Sequence, residues 1–229
     1  MTLDTQSHKT IHSGDPVKLE NLRRFLLRTL LPVMRIVGRL HLPFTRKLVT
    51  AADYRVALPT LAVGDVLLSR TRGEVSNCVI PGFYTHAALY IGEERVLEAT
   101  GAGVHTSDLV DFVMRKDFIA ILNPAFATPA IEKKAAQIAV GAEGRPYDYG
   151  FTSSEDAFYC AELIAWAYSE AMLPGESPFE YRLTLGVPTV TPQDFFNAES
   201  KWKLKLLLGG SIPSDVGDKR PLEVAILHP

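Results

Sequence analysis

The chain has 229 residues, of which 47% are hydrophobic and 22% charged, and its formal net charge is −2. These proportions are those of an ordinary globular protein, and the nearly neutral charge gives no sign of nucleic-acid binding. The length suits one large domain, or one domain with an appendage. Two cysteines, Cys78 and Cys160, are too few for a secreted disulfide scaffold, so a reducing compartment is expected. No role is assigned to Cys78.

The N-terminal region divides into two segments. Residues 1–18 are polar and are predicted to form a disordered tail. Residues 19–57 are predicted to form a basic amphipathic helical arm, because leucines and valines recur at three- and four-residue spacing and arginines fall on the opposite side. The arginines argue against a signal peptide and a membrane span. A cytoplasmic protein is therefore expected, and two roles of the arm remain open: peripheral membrane contact through residues 19–50, or packing on the domain.

The middle of the chain is predicted to be rich in strands. Apolar runs bounded by turn residues predict strands near residues 66–70, 83–92, 95–100, 104–108 and 118–122. Periodic apolar positions then predict a helix over residues 131–141.

His86 and Glu98 lie on neighbouring predicted strands. If these strands pair so that the residue numbers sum to an even value, the two side chains share a face, whereas a one-residue slip would separate them. Glu98 stands among apolar residues, and an unpaired buried carboxylate is costly, so a nearby donor is expected. The less specific alternatives are a solvated glutamate and a core histidine.

Cys160 is predicted to lie in the first turn of a buried helix. Apolar residues fall at positions 160, 163, 164, 167 and 171, which is the spacing of one helical face. Ser153, Ser154 and Asp156 are the candidate N-caps. A thiol at a helix N-terminus lies where the helix dipole favours the thiolate. The alternative is that Cys160 is a small core residue.

Together, a histidine, a carboxylate and a helix-borne cysteine are the parts of a thiol catalyst. The histidine takes the thiol proton, the carboxylate orients the histidine, and the start of the helix supplies an oxyanion donor. The order along the chain is His, Glu, Cys, whereas papain-like enzymes normally have the cysteine first.

Five segments in order resemble a known family: residues 63–68, 84–92, 96–99, 145–148 and 159–163. They read VGDVLL, YTHAALYIG, VLEA, RPYD and YCAEL. This series resembles the circularly permuted papain-like amidases, the YiiX-type branch of the NlpC cysteine hydrolase superfamily. Lecithin retinol acyltransferase is a more distant relative. The resemblance covers roughly residues 60–170.

The resemblance implies an α+β, permuted papain-like (NlpC-like) fold, in which a small antiparallel sheet packs on the helix that carries the cysteine. The domain would span residues 58–229. The resemblance further implies Cys160 as nucleophile, His86 as general base and then acid, and Glu98 as the orienting residue. The backbone N–H of Cys160 would bind the oxyanion, and Tyr84 or Tyr147 would contact the substrate.

The function that this implies is a cysteine hydrolase that cleaves an amide through a thioester intermediate, without a cofactor or metal. Its substrates would be peptides or amino-acid amides of the cell-wall type. One alternative is a lipid acyltransferase, thioesterase or lipase acting on an acyl substrate at a membrane surface. A second is a non-catalytic binding module. A third makes the same Cys, His and Glu zinc ligands, although nothing in their spacing indicates it.

The segment after Pro174 is not explained by the resemblance. Residues 201–206 alternate, which predicts a strand with Trp202, Leu204 and Leu206 facing the core and the lysines facing water. Residues 221–227 are predicted to form a last strand. The oligomeric state is not indicated.

Overall fold

A computed structural model describes residues 47–74, 77, 80–151, 155–173, 178–184 and 187–209. The predicted tail, most of the predicted arm, Cys78 and the predicted strand at 221–227 lie outside the described residues.

Eight strands and five α-helices make up the described chain. The strands are β1 (Val66–Arg70), β2 (His86–Gly92), β3 (Arg95–Thr100), β4 (Gly103–Asp108), β5 (Phe118–Pro124), β6 (Arg182–Thr184), β7 (Val187–Thr189) and β8 (Trp202–Gly209). The α-helices are α1 (Ala51–Ala57), α2 (Leu109–Met114), α3 (Pro129–Val140), α4 (Cys160–Ala171) and α5 (Pro192–Asn197), and a short 3₁₀ helix (Leu58–Thr60) follows α1. None of the described helices is both long and apolar enough to cross a membrane.

Six of the strands form one antiparallel sheet in the order β4-β3-β2-β1-β5-β8, and β6 and β7 form a separate hairpin. Helices α3 and α4 pack together and cover one face of the sheet, while α1 and α2 cover the other. Because both faces are covered, the central strands are almost continuously apolar, as the sequence of β1 shows. The α+β fold predicted from the sequence is confirmed.

The register of β2 and β3 decides whether the two predicted site residues meet. Ala88 lies opposite Glu98 and Leu89 lies opposite Leu97, so the paired numbers sum to an even value. His86 is two residues from Ala88 and therefore lies on the same face of the sheet as Glu98.

A bulge in β8 divides its side chains between the two cores. Leu206 lies opposite Ile121 but Leu204 lies opposite Leu122, so Lys205 is the extra residue on β8. Trp202 and Leu204 therefore pack in the core beneath α4, whereas Leu206 packs in the core beneath α2. The prediction that all three apolar side chains face one core was wrong.

The last residues of the predicted arm pack on the sheet. Val49 and Ala57 are buried in the core beneath α2. The buried carboxylate of Asp117 accepts hydrogen bonds from the backbone N–H groups of Leu48 (3.1 Å) and Arg72 (2.8 Å), and it also pairs with the Lys47 ammonium at 3.6 Å. One carboxylate thus ties the segment before α1 to the loop after β1.

Candidate active site

His86 is the first residue of β2, and its side chain joins two other elements. Its Nε2 lies 2.8 Å from Oε2 of Glu98 on β3. Its ring lies 6.2 Å, between ring centroids, from Phe112 on α2. The imidazole also forms a hydrogen bond with the side chain of Cys160 at the start of α4. Because Nε2 is engaged by Glu98, Nδ1 is the nitrogen left for the sulfur. The structure therefore brings His86, Glu98 and Cys160 together.

Glu98 is buried, with 1% of its surface exposed, and its second oxygen is also occupied. Oε1 accepts hydrogen bonds from the Ser107 hydroxyl (2.7 Å) and the Arg115 guanidinium (3.1 Å), and Nε2 of His105 lies 3.7 Å away. Burial acts to raise the pKa of Glu98, but the hydrogen bond from His86 and the surrounding positive charge hold it well below its usual range. Glu98 is therefore a carboxylate.

Cys160 has a free thiol that is almost fully buried. Burial alone would raise its pKa, but the hydrogen bond and charge of His86 lower it. The backbone N–H groups of Ala87 and Ala161 also donate to the sulfur and lower the pKa further. The Ala87 N–H is available to the sulfur because the backbone pairing of β2 with β3 begins only at Ala88.

The protonation states of His86 and Cys160 are linked. Burial and the Lys116 ammonium act to lower the pKa of His86, but its hydrogen bonds to Cys160 and Glu98 raise that pKa to about 9. The pKa of the thiol is lowered at the same time, so the pairing favours a thiolate beside an imidazolium over a neutral thiol beside a neutral imidazole. A thiolate is the nucleophilic form of cysteine.

The start of α4 is capped differently from the prediction. The N-cap is Tyr159, and the carboxylate of Glu162 accepts a hydrogen bond from the Tyr159 N–H at 3.3 Å. Asp156 lies three residues before the cap, and Ser153 and Ser154 lie outside the described residues. Glu162 is buried, and burial raises its pKa to about 7. The sequence pattern missed this because tyrosine is not a preferred capping residue.

The two candidate substrate-binding tyrosines differ in accessibility. Tyr84 is fully buried and packs against Phe83 and Phe196, so it offers no surface to a substrate in this structure. Tyr147 is partly exposed, and burial together with the charge of nearby Cys160 raises its pKa. Of the two, Tyr147 is the one on whose pKa the charge of Cys160 acts.

The described part of the chain was compared with the needs of a metal ion only through its His, Cys, Asp and Glu side chains, which supply most metal ligands in proteins. No group of three or more His, Cys, Asp or Glu side chains there has an arrangement that could hold a metal ion.

Comparisons with known proteins agree with the fold. The structure resembles the crystal structure of the metalloprotein YiiX from Escherichia coli O157:H7, with a TM-score of 0.57 and 19% sequence identity over 66% of this chain and 99% of that chain. No curated protein matches the sequence. Residues 60–205 match the family described as permuted papain-like amidase enzyme, YaeF/YiiX, C92 family. The match covers more than half of the chain, which therefore belongs to the permuted papain-like amidases of the C92 family.

Proposed function

We propose that this amidase is a cysteine hydrolase in which Cys160 is the nucleophile, His86 the general base and acid, and Glu98 the residue that orients His86. The observation that carries the proposal is that one imidazole is hydrogen-bonded to the buried Glu98 carboxylate and also interacts with the Cys160 side chain, each of the two shifting the pKa of the other. Nucleophile, base and orienting group in hydrogen-bonding sequence are the signature of an activated nucleophile.

In the acylation step, the Cys160 thiolate attacks the carbonyl carbon of the amide and a tetrahedral oxyanion forms. The His86 imidazolium then gives its proton to the amide nitrogen, the C–N bond breaks, and the amine leaves a thioester on the sulfur. The proposed oxyanion donor is the backbone N–H of Cys160, because N–H groups in the first turn of a helix have no acceptor within the helix.

In the deacylation step, the now neutral His86 takes a proton from water and the hydroxide attacks the thioester carbonyl. The C–S bond breaks, the carboxylic acid leaves, and the thiolate and imidazolium are restored. Glu98 stays ionised throughout, since its role is to hold the ring and to stabilise the imidazolium.

The test is to incubate the protein with a panel of peptides and amino-acid amides of the cell-wall type. Hydrolysis is measured as the release of the amine. Cys160→Ala should abolish turnover and leave the fold intact, as judged by circular dichroism. Cys78→Ala replaces the other cysteine of the chain and should retain full activity. Full activity of Cys160→Ala on a cleaved substrate would overturn the proposal.

A second candidate substrate class is supported by exposed apolar side chains near the site. Leu183 and Tyr181, in and before β6, are 77% and 48% exposed. Burial and, to a smaller extent, the charge of Glu162 raise the pKa of Tyr181, so this tyrosine lies within electrostatic reach of the first turn of α4. An acyl chain or a membrane surface would cover such a patch. Hydrolysis of lipid esters in preference to peptide amides, together with binding of the full chain to anionic vesicles, would favour this class.

A further inference from the structure

The buried Glu98 carboxylate is held at both of its oxygens. Oε2 accepts a hydrogen bond from Nε2 of His86 at 2.8 Å. Oε1 accepts two more, from the Ser107 hydroxyl at 2.7 Å and from Nη2 of Arg115 at 3.1 Å. The last torsion of a glutamate side chain is broad and roughly two-fold, so the backbone alone does not decide which way the carboxylate turns. The partners of Oε1 therefore fix the direction in which Oε2 points.

Ser107 reaches Glu98 because of the register between β3 and β4. Glu98 lies opposite His105, and Ser107 is two residues further along β4. Alternate residues of a strand share a face, so all three side chains lie on one side of the sheet. The long glutamate side chain spans the diagonal to the short serine.

Arg115 reaches the same oxygen from the end of α2. It is the C-cap residue of that helix, and its Nε donates a hydrogen bond to the Asp111 carbonyl at 2.9 Å, which holds the guanidinium against the helix. The Arg115 side chain is 56% exposed, whereas that of Glu98 is 1% exposed. A guanidinium does not lose its proton in proteins, so its hydrogen bond to Oε1 remains charge-assisted across the pH range of the reaction.

Two other basic side chains face Glu98 without a hydrogen bond to it. Nε2 of His105 lies 3.7 Å from Oε1, and Nδ1 of the same ring donates to the Gly103 carbonyl at 3.0 Å, so the neutral ring has no proton at Nε2 to donate. The Lys116 ammonium lowers the pKa of Glu98 through its charge. Among the residues that the structure describes, Ser107 and Arg115 are therefore the hydrogen-bond donors that hold Oε1.

We propose that Ser107 and Arg115 are positioning residues, which hold the Glu98 carboxylate so that it keeps the His86 ring turned toward Cys160. They act through Glu98 and not on the reacting atoms. The inference rests on the proposed function, in which Glu98 orients His86. Without either hydrogen bond, Oε2 spends less time facing Nε2 of His86, and the imidazole pairs less well with the sulfur.

Alkylation of Cys160 reports on this positioning without a known substrate. Cys78→Ala leaves Cys160 as the one cysteine of the chain, and this parent protein carries every further substitution. The Cys160 thiolate displaces iodide from iodoacetamide and forms an S–C bond. The alkylation rate at pH 6 therefore follows the fraction of Cys160 that is thiolate.

Ser107→Ala should slow alkylation at pH 6 by about 3- to 10-fold, which corresponds to the typical net worth of one hydrogen bond. Ser107→Thr keeps a hydroxyl and should react at the rate of the parent. Arg115→Met should slow the reaction at least as much as Ser107→Ala. Arg95→Met is the matched control, at an exposed arginine on the same strand as Glu98, and should react at the rate of the parent.

Glu98→Ala decides whether the two residues act through Glu98. This substitution should itself slow alkylation. Adding Ser107→Ala or Arg115→Met to it should cause little further change, because the carboxylate that they position is gone. A residue that only stabilises the fold, or a cation that acts directly on the thiolate, would slow the reaction equally with and without Glu98.

Two results overturn the proposal: equal alkylation rates of the Ser107→Ala and Ser107→Thr proteins, or the same slowing by Ser107→Ala whether or not Glu98 is present. Circular dichroism identifies variants that do not fold. If Glu98→Ala does not fold, the comparison of Ser107→Ala with Ser107→Thr decides. A parent protein whose Cys160 reacts at pH 6 no faster than an ordinary cysteine would instead contradict the activated thiolate of the proposed function.

Discussion

The imidazole of His86 meets a buried carboxylate at one nitrogen and a buried sulfur on its other side. Neither neighbour can change its charge without affecting the other, because both act on the same ring. The pKa of His86 is about 9, and that of the Cys160 thiol is lowered. The pH range in which the thiolate and the imidazolium coexist therefore ends, on its alkaline side, where His86 loses its proton at about pH 9.

Replacement of Glu98 by glutamine tests this coupling. In the wild type, kcat/KM should fall as pH rises through about 9, because His86 then loses the proton that the leaving amine needs. Glu98→Gln removes the carboxylate that, together with Cys160, raises the pKa of His86. The descending limb of the pH profile should therefore move to lower pH, and the maximal rate should drop by less than the roughly 10²–10⁴-fold that loss of acid–base catalysis costs in His86→Ala.

The control for this variant is Glu170→Gln, at an exposed glutamate of α4. It should leave both the pH profile and the rate unchanged. A descending limb in Glu98→Gln that coincides with that of the wild type would show that Glu98 does not act on His86.

At the residue scale, the sequence predicted the three members of the proposed triad but not the groups around them. Ser107, Arg115 and Lys116 lie next to a short helix in a sequence that suggests a solvated surface. Ser107 and Arg115 meet at the Glu98 carboxylate, and Lys116 lies over the Phe112 ring. These contacts depend on how α2 packs across the sheet, which no local sequence pattern predicts.

At the scale of elements, α4 brings the sulfur to the end of β2. The helix begins at Cys160 itself, and its capping carboxylate, Glu162, is buried two residues later. Within the described residues this carboxylate pairs with no cation, and its pKa of about 7 follows from its burial. The ionisation of Glu162 should therefore affect the stability of the fold near neutral pH.

Replacement of Glu162 by glutamine should stabilise the protein at pH 8. A raised pKa means that the folded state holds the proton more tightly than the unfolded chain, so the stabilising contribution is complete below the ordinary glutamate pKa and is lost as pH rises through about 7. Glutamine stays neutral and keeps an acceptor for the Tyr159 N–H. Thermal unfolding should show a Tm above that of the wild type at pH 8, with the difference disappearing near pH 4.

Glu170→Gln again serves as the control, since its side chain lies on the exposed face of the same helix. It should show no such pH-dependent difference in Tm. A Glu162→Gln protein that melts below the wild type at pH 8 would mean that the charge of Glu162 favours the cap.

The positions of most elements could be predicted from their apolar periodicity. Whether His86 and Glu98 share a face depended only on whether the paired residue numbers of β2 and β3 sum to an even or an odd value. The β8 bulge could not be predicted. An extra residue leaves the alternation of lysine and leucine intact in the sequence, while in the sheet it sends the side chains beyond Lys205 to the opposite core.

At the scale of the whole molecule, an aromatic cluster joins β8 to α4 and to the segments around the small hairpin. Trp202 lies at its centre and is 2% exposed. The rings around it are those of Phe126, Tyr168, Phe179 and Phe195, at centroid distances of 5.3, 6.0, 6.1 and 5.1 Å. The family resemblance ended near residue 170, so this part of the core depends on chain that the five motifs did not cover.

Trp202→Ala should lower the free energy of unfolding by about 3–5 kcal/mol, the usual cost of truncating a large buried aromatic side chain. Urea unfolding followed by circular dichroism measures the change. Leu183→Ala, at a side chain that is 77% exposed, should have little effect. A loss below about 1 kcal/mol in Trp202→Ala would show that the segment after α4 is not part of the cooperative core.

The carboxylate of Asp117 sets a limit on how far the protein can be shortened from its N-terminal side. A fragment cut at residue 58, where the sequence placed the start of the domain, would discard the Leu48 N–H and the Lys47 ammonium. Of the partners described above, the fully buried Asp117 carboxylate would keep only Arg72. It would also strip Val49 and Ala57 from the core beneath α2. A protein that begins at residue 58 should therefore unfold at a lower temperature than one that begins at residue 47.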